Sequence, residues 1–176
     1  MTRDRDPAGR PRNARPRDAL GRPLDRAEPG ESGAGQPRIP DDLVITGADA
    51  AVLADRLLRE GRPFHAHEVL EAAWKSAPAG ERDLWQGLAQ IAVGLTHAHR
   101  GNARGAVTLL RRGAQRARAY QVPAEPGSGS GEARPFGMNL LAVLAAAEDL
   151  AARIERDGLA GLPAADLTPG LLAAGG

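Results

Sequence analysis

The chain has 176 residues, a formal net charge of +1 and no cysteine. Its length fits a single domain, and its nearly neutral charge provides no global field that would attract nucleic acid or a membrane surface. The absence of thiols excludes disulfides, thiolate zinc sites and cysteine nucleophiles. The sequence contains no apolar run of about 18 residues, and its arginine-rich start contains no apolar stretch of the secretory type, so we expect a cytoplasmic protein without a membrane segment.

Composition divides the chain into three parts. Residues 1–45 are predicted to be a disordered leader rich in Arg, Pro and Gly, because their few large aliphatic side chains cannot bury enough surface to offset the entropy of ordering. Residues 46–160 carry strong helical periodicity and are predicted to form a helical domain. Residues 161–176 hold scattered leucines among Pro and Gly, which predicts a flexible or loosely packed tail.

Five helices are expected in the central part. Apolar residues recur there at intervals of three and four, with Gly61, Gly101 and Gly158 placed to end helices and Asn102 and Asn139 placed to cap them. In chain order, the predicted helices cover residues 48–60, 63–75, 81–100, 103–120 and 140–156. A loop is predicted over residues 121–135, and the only β-branched run is at residues 44–46.

The predicted fold is all-α, a compact antiparallel bundle of about five helices. Short connections between the first four helices favour antiparallel neighbours. The third helix is apolar over most of its surface, which is typical of a central helix. It also carries Gly87 and Gly94, each of which costs about 0.5–1 kcal/mol relative to alanine in a helix, so we expect another backbone to pack closely against it.

A polar stripe within otherwise apolar helices is the strongest candidate for a site. On the second helix His67 and Glu71 are four residues apart and Trp74 lies beside them, whereas His65 and Glu68 are expected to be solvated. If the second and third helices pair, these side chains meet polar groups of the third helix. The ligand-pocket candidates are therefore His67, Glu71, Trp74, Gln86, Gln90 and His97.

Three interpretations of this stripe compete. The first is a buried hydrogen-bond network that fixes the register of the two helices, since buried polar groups need partners. The second is a pocket for a small ligand or a protein partner. The third is a divalent metal site, the cofactor being zinc or iron, with His67, Glu71 and His97 as ligands. The spacing matches neither the zinc protease motif nor a di-iron bundle, and the sequence does not decide whether any reaction is catalysed.

The predicted fourth helix has a basic face. Its arginines follow a seven-residue repeat with two more beside it, at Arg104, Arg111, Arg118, Arg112 and Arg116. Such a face suits an anion or an acidic partner, but a solvated surface is the commoner meaning of this pattern, and nucleic-acid binding is disfavoured.

Three sequence blocks resemble a known family. They are Phe64-x-x-His67-Glu68-x-x-Glu71-x-x-Trp74, then Gln86-Gly87-Leu88-x-Gln90-x-Ala92-Val93, and then Arg100-Gly101-Asn102-x-x-Gly105-Ala106. In this order they resemble the bacterial domain of unknown function 309 family over about residues 50–120. The resemblance implies a small, cytosolic, all-helical protein and transfers no catalytic role.

The working hypothesis is a helical module that binds a protein partner or a small ligand, or that forms a homo-oligomer. The alternative is a metal-binding protein or metal-dependent enzyme that uses His67, Glu71 and His97.

Overall fold

The computed structural model describes residues 18, 22, 39–40, 43–120 and 134–172. Five helices make up the fold: α1 (Gly47–Arg59), α2 (Pro63–Ser76), α3 (Arg82–His99), α4 (Ala103–Ala117) and α5 (Leu140–Asp157). The all-α class and the helix number are confirmed for these ranges. Most of the predicted leader (residues 1–45), nearly all of the predicted loop over 121–135, and residues 173–176 lie outside the described residues. No helix in the described part is long and apolar enough to cross a membrane.

Helix α1 begins one residue earlier than predicted, because Thr46 caps it. The Thr46 side-chain oxygen accepts a hydrogen bond from the backbone N–H of Asp49 at 3.2 Å and donates one to Asp49 Oδ2 at 2.6 Å. The β-branched run at residues 44–46 therefore leads into a helix and forms no strand. A threonine with an acid three residues later can satisfy the free donors of a first helical turn, which outweighs a weak preference for extended backbone.

Consecutive helices pack on one another, and α3 lies between α2 and α4. The contact of α3 with α4 is very close. A Cβ atom added to Gly87 would come within 2.6 Å of the carbonyl oxygen of Gly113 and of the backbone nitrogen of Ala117, and one added to Gly94 within 3.0 Å of the Leu110 nitrogen. The close backbone approach expected from the glycines of α3 is confirmed.

Helices α4 and α5 pair antiparallel through matched charges. Arg111 contacts Glu155 through two hydrogen bonds of 3.2 and 2.8 Å, and Arg118 contacts Glu148 at 3.1 Å. A step of seven residues forward along α4 is thus matched by a step of seven backward along α5. These four side chains are about half exposed, so the pairs add little stability and mainly favour this register. The predicted basic face is thus partly neutralised within the chain.

The C-terminal segment packs against the helices. Asp55 of α1, buried at 8% exposure, accepts hydrogen bonds at Oδ1 from the backbone N–H groups of Leu171 at 2.6 Å and Leu172 at 2.9 Å. Leu171 is itself buried, and the His99 ring contacts the Leu167 carbonyl oxygen at 3.1 Å. The flexible or loosely packed tail over 161–176 stays a prediction; in its described part, the backbone N–H groups of Leu171 and Leu172 supply the donors that the buried Asp55 carboxylate needs.

The Asp55 carboxylate is stabilised in its charged form. Burial alone would raise the pKa of Asp55, but hydrogen bonds from Arg59 and from the N–H groups of Leu172 and Leu171 outweigh burial and lower it. The anchor of the C-terminal segment is therefore a charged group at neutral pH.

Candidate functional site on helix α2

The structure divides the predicted polar stripe between two sides of α3. Gln86 and His97 contact residues of α4 or its cap, whereas the polar side chains of α2 bond among themselves. Within the described residues, no hydrogen bond or ion pair joins His67 or Glu71 to Gln86, Gln90 or His97. The buried network across α2 and α3 that one interpretation required is not formed.

His97 belongs to the turn between α3 and α4. The side-chain oxygen of Asn102 accepts from the N–H of Gly105 at 2.9 Å, so its amide nitrogen faces His97 Nδ1, 2.8 Å away, and this ring nitrogen is the acceptor. A Cβ atom at Gly105 would lie 2.9 Å from His97 Nδ1 and 2.6 Å from Asn102 Nδ2. Gly101, with a φ of +78°, ends α3 just before. His97 thus helps to fix a helix–helix turn.

The side chain of Gln86 is also hydrogen-bonded within the fold. Its side-chain oxygen accepts a very short hydrogen bond from Arg116 of α4, and Arg116 also contacts Asp83 at 3.3 Å. The neighbouring Trp85, buried at 1% exposure, donates its ring N–H to Glu81 at 3.1 Å. Both polar groups at the start of α3 are therefore satisfied within the fold.

The polar residues of α2 form a ladder along one side of the helix. His67 Nε2 lies 3.5 Å from Glu71 Oε2, and Lys75 Nζ lies 3.1 Å from Glu71 Oε1. The side chains of His67 and Glu71 retain 26% and 36% exposure. This arrangement leaves the pair accessible from solvent at the edge of the bundle.

His67 is held in its neutral form. Burial lowers the pKa of His67 and is the largest influence on it; Glu71 opposes this shift and Lys75 adds to it. The backbone of Phe64 is close enough to raise the pKa slightly, yet Nδ1 of the ring is buried and makes no hydrogen bond within the described structure. At neutral pH the imidazole is therefore a neutral group with one unused nitrogen.

Two aromatic side chains flank this ladder. Phe64 lies one turn before His67, with ring centroids 6.0 Å apart, and Trp74 lies three residues after Glu71. Both aromatic residues are half-buried, and Trp74 packs against the core. We call the row Phe64, His67, Glu71 and Trp74 the α2 face. At about 1.5 Å per residue it extends for about 15 Å along the helix.

His65 departs from its predicted solvated position. It is buried at 2% exposure, and burial, followed by the charge of Arg62, lowers its pKa. The connection from α1 to α2 is short and the two helices pack together, so the first turn of α2 has less free surface than an isolated helix. Glu68, also expected to be solvated, is half-buried.

Three further buried side-chain atoms make no hydrogen bond among the described residues, and Nε of Arg62 is the first of them. Nδ1 of His65 and the side-chain oxygen of Gln90 are buried and make no hydrogen bond. Gln90 belongs to α3, the neighbour of α2. Two of the predicted pocket candidates, His67 and Gln90, therefore each keep one buried side-chain atom without a hydrogen bond.

The predicted metal ligands are not assembled. His67 and Glu71 are in contact, but His97 Nδ1 is engaged by Asn102 on the turn after α3. In the part of the chain that the structure describes, no group of three or more His, Asp or Glu side chains is arranged to hold a metal ion. Metal binding by His67, Glu71 and His97 stays a prediction, with a pair of candidate ligands in place of a triad.

Sequence reasoning missed the role of Asp55. An acidic residue lies there between Ala54 and Leu57, both fully or almost fully buried, and an acid on the apolar side of a helix signals a buried partner. That signal indicates that a partner is needed and does not identify it.

Part of this sequence, including α2 and α3, matches a known protein family. The model of the Domain of unknown function (DUF309) family matches residues 53–109, a range that contains α2, α3 and the turn after α3. Over 48 residues the chain is 44% identical to the uncharacterized protein YpuF of Bacillus subtilis (strain 168), which covers 27% of this chain and 28% of that protein. The chain thus matches little more than a quarter of the relative's length. No solved structure matches the chain.

Proposed function

We propose that this chain, which belongs to the domain of unknown function 309 family over residues 53–109, is a helical module that binds another protein through its α2 face. The observation that carries the proposal is the pair of half-buried aromatic side chains, Phe64 and Trp74, at the two ends of the His67–Glu71 contact. A cytoplasmic location is part of the proposal, and cell fractionation checks it.

The composition of the α2 face favours a protein partner. Partly exposed aromatic residues dominate binding energy in many interfaces, since they bury a large area at a small entropic cost. The sequence has only two Trp, two Phe and one Tyr, and two of these five aromatic residues lie on this one helix face. Between them, burial lowers the pKa of His67, so the imidazole adds no positive charge to the face at neutral pH.

The expected occupant is an apolar helical segment of the partner. A row of about 15 Å matches about three turns of a helix that presents anchors at positions i, i+3 or i+4, and i+7. The charges of Glu71 and Lys75 neutralise each other at 3.1 Å, so the face favours apolar contact over attraction of a strongly charged partner.

Site-specific photo-crosslinking in cells tests the proposal. A benzophenone amino acid at position 75, next to the α2 face, should give one defined protein adduct, and the same amino acid at the exposed position 112 of α4 should not. The identified partner is then purified and its affinity measured by calorimetry. Trp74→Ala should weaken binding at least tenfold and Phe64→Ala severalfold, as for aromatic anchors. The matched control is Leu141→Ala, which removes an apolar side chain that is 67% exposed on α5 and should change affinity less than twofold.

Several outcomes would overturn the proposal. One is the same adduct at both positions, or none at position 75. Another is an affinity that Trp74→Ala leaves within twofold of the wild type. A third is a homodimer, seen by sedimentation velocity of the purified chain at micromolar concentration, that Trp74→Ala dissociates, because the α2 face would then be a contact between copies.

A further inference from the structure

A separate cavity lies on the side of the bundle covered by the C-terminal segment. Its volume is about 230 Å³, and side chains of α1, α3, α4 and α5 line it. The apolar part of its wall is aliphatic and includes Leu58, Ile91, Leu95, Leu110, Val143 and Leu150. None of these residues belongs to the α2 face.

The cavity is partly open to solvent, and its volume is large for a space between packed helices. Protein interiors pack as densely as organic crystals and contain few voids larger than one water molecule. An engineered cavity of about 150 Å³ with an apolar lining stays dry and binds benzene or xenon. The present cavity is larger than that one, so it has room for a molecule somewhat larger than benzene, of about eight or nine non-hydrogen atoms.

One end of the cavity is polar. Asp149, Arg153 and Asp166 contribute to its wall there. Arg153 makes a very short ion pair with Asp166 and a longer one, of 3.8 Å, with Asp149. Two carboxylates therefore share one guanidinium, and the local charge is negative. A ligand with an uncharged or cationic head fits this end, whereas a carboxylate would be repelled.

The C-terminal segment forms part of the cavity wall. Residues 165, 166 and 169–171 belong to this wall; Leu171 is buried in the core, and the other anchors of the segment are polar. These anchors are the Asp55 hydrogen bonds to Leu171 and Leu172, the His99 contact with Leu167, and the Arg153–Asp166 pair. Local opening of a surface segment costs less than global unfolding, so we expect a ligand to enter through this segment.

We propose that this cavity binds a small aliphatic amphiphile, with a body of about seven carbons among the leucines and an amine or hydroxyl head beside Asp149 and Arg153. The C-terminal segment is the lid over the bound molecule. The site is independent of the α2 face, and its failure would leave the proposed protein-binding function untouched.

Three probes of equal chain length test the proposal on the full chain: n-heptylamine, 1-heptanol and heptanoate. Titration by calorimetry and by the melting temperature should show binding of the amine and the alcohol, with heptanoate at least tenfold weaker. Asp149→Asn removes one of the two carboxylates, and we expect it to reduce the preference for the amine over heptanoate at least threefold.

A matched pair of variants on α5 locates the bound probe. Ala147 is buried and lines the cavity, so Ala147→Leu should fill it and weaken 1-heptanol binding at least tenfold. Ala152 is exposed on the same helix and outside the lining, so Ala152→Leu should leave the affinity within twofold. In case Ala147→Leu folds poorly, nuclear Overhauser contacts from 1-heptanol to the Leu95 and Leu110 methyl groups of the wild type provide a second, independent test.

Saturable binding that Ala147→Leu alone removes, or the two methyl contacts, would establish the site. The proposal is overturned if none of the three probes binds the wild type up to its solubility limit. It is equally overturned if Ala147→Leu and Ala152→Leu bind 1-heptanol alike while the methyl contacts are absent.

Discussion

Replacing Gly87 by alanine separates what helix propensity predicts from what the packing of α3 on α4 predicts. Propensity alone predicts a gain of about 0.5–1 kcal/mol for Gly87→Ala, because glycine is the more costly residue within a helix. The structure predicts a loss. The added Cβ atom would lie 2.6 Å from two backbone atoms of α4, at Gly113 and Ala117. Backbone atoms, unlike those of a side chain, cannot be moved aside by a change of rotamer.

The size of this loss follows from the required displacement. Carbon atoms in good contact are about 3.5–4.0 Å from their neighbours, so α4 must move by about 1 Å or the Cβ contact must remain compressed. Overpacking of this kind costs about 1–3 kcal/mol. After subtracting the propensity gain of about 0.5–1 kcal/mol, we expect Gly87→Ala to lower the free energy of unfolding by about 0.5–2 kcal/mol. The melting temperature should fall by roughly 4 °C for each kcal/mol.

Urea unfolding followed by far-ultraviolet circular dichroism measures the change, with Gly94→Ala and Gly80→Ala as a graded series. At Gly94 the nearest atoms, the backbone nitrogen and Cγ of Leu110, are 3.0 Å from the added Cβ, farther than the 2.6 Å at Gly87, so its loss should be smaller. At Gly80 no atom lies within 4 Å, and the change should stay within about 0.5 kcal/mol. A Gly87→Ala protein as stable as the wild type, or more stable, would refute the close crossing of α3 and α4.

Three further expectations concern the turn, the C-terminal anchor and the α2 face. Asn102→Ala removes the cap of α4 and the partner of His97 Nδ1, and should cost about 1 kcal/mol in urea unfolding; an unchanged midpoint would contradict the role of the cap. Asp55→Asn keeps an acceptor for the Leu171 N–H but removes the charge, so it should lower the free energy of unfolding by about 1–2 kcal/mol and speed limited proteolysis near Leu171. Asp157→Asn is the control at an exposed position, and equal cleavage of both variants would contradict the role of Asp55 as an anchor. Because the pKa of Asp55 is lowered in the fold, its contribution is fully present above about pH 4 and is lost as the pH falls below that value. The pKa of His67 is also lowered in the fold, so the unfolded chain binds the proton more readily than the folded chain. The free energy of unfolding should therefore decline as the pH falls below about 6.5, and His67→Gln should make this decline shallower. A decline of equal slope in both proteins would exclude His67 as its source.

The helices themselves were predictable because their causes are local. Apolar spacing of three and four residues is a one-dimensional pattern, and the caps act within a few residues of it: Asn102 accepts from Gly105, and Asn139 accepts from Ala142. Gly101 ends α3 through its own positive φ. The contact between His67 and Glu71 belongs to the same class, since two residues four apart on a helix are neighbours whatever the rest of the chain does.

The partners across the fold were decided only by tertiary packing. Periodicity locates a side chain on one face of a helix but does not say which neighbouring helix covers that face. The sequence pattern therefore predicts Gln86 and His97 opposite α2. In the structure, Gln86 pairs with Arg116 of α4 and His97 with the cap residue Asn102. The bond from Asp55 to Leu171 joins residues 116 positions apart, and no local rule reaches that distance. The sequence alone thus determined which residues coil into helices and which of their edges carry polar groups. The docking of one helix against another, and of the C-terminal segment on α1, determined which of those groups are used up within the fold and which remain available for binding.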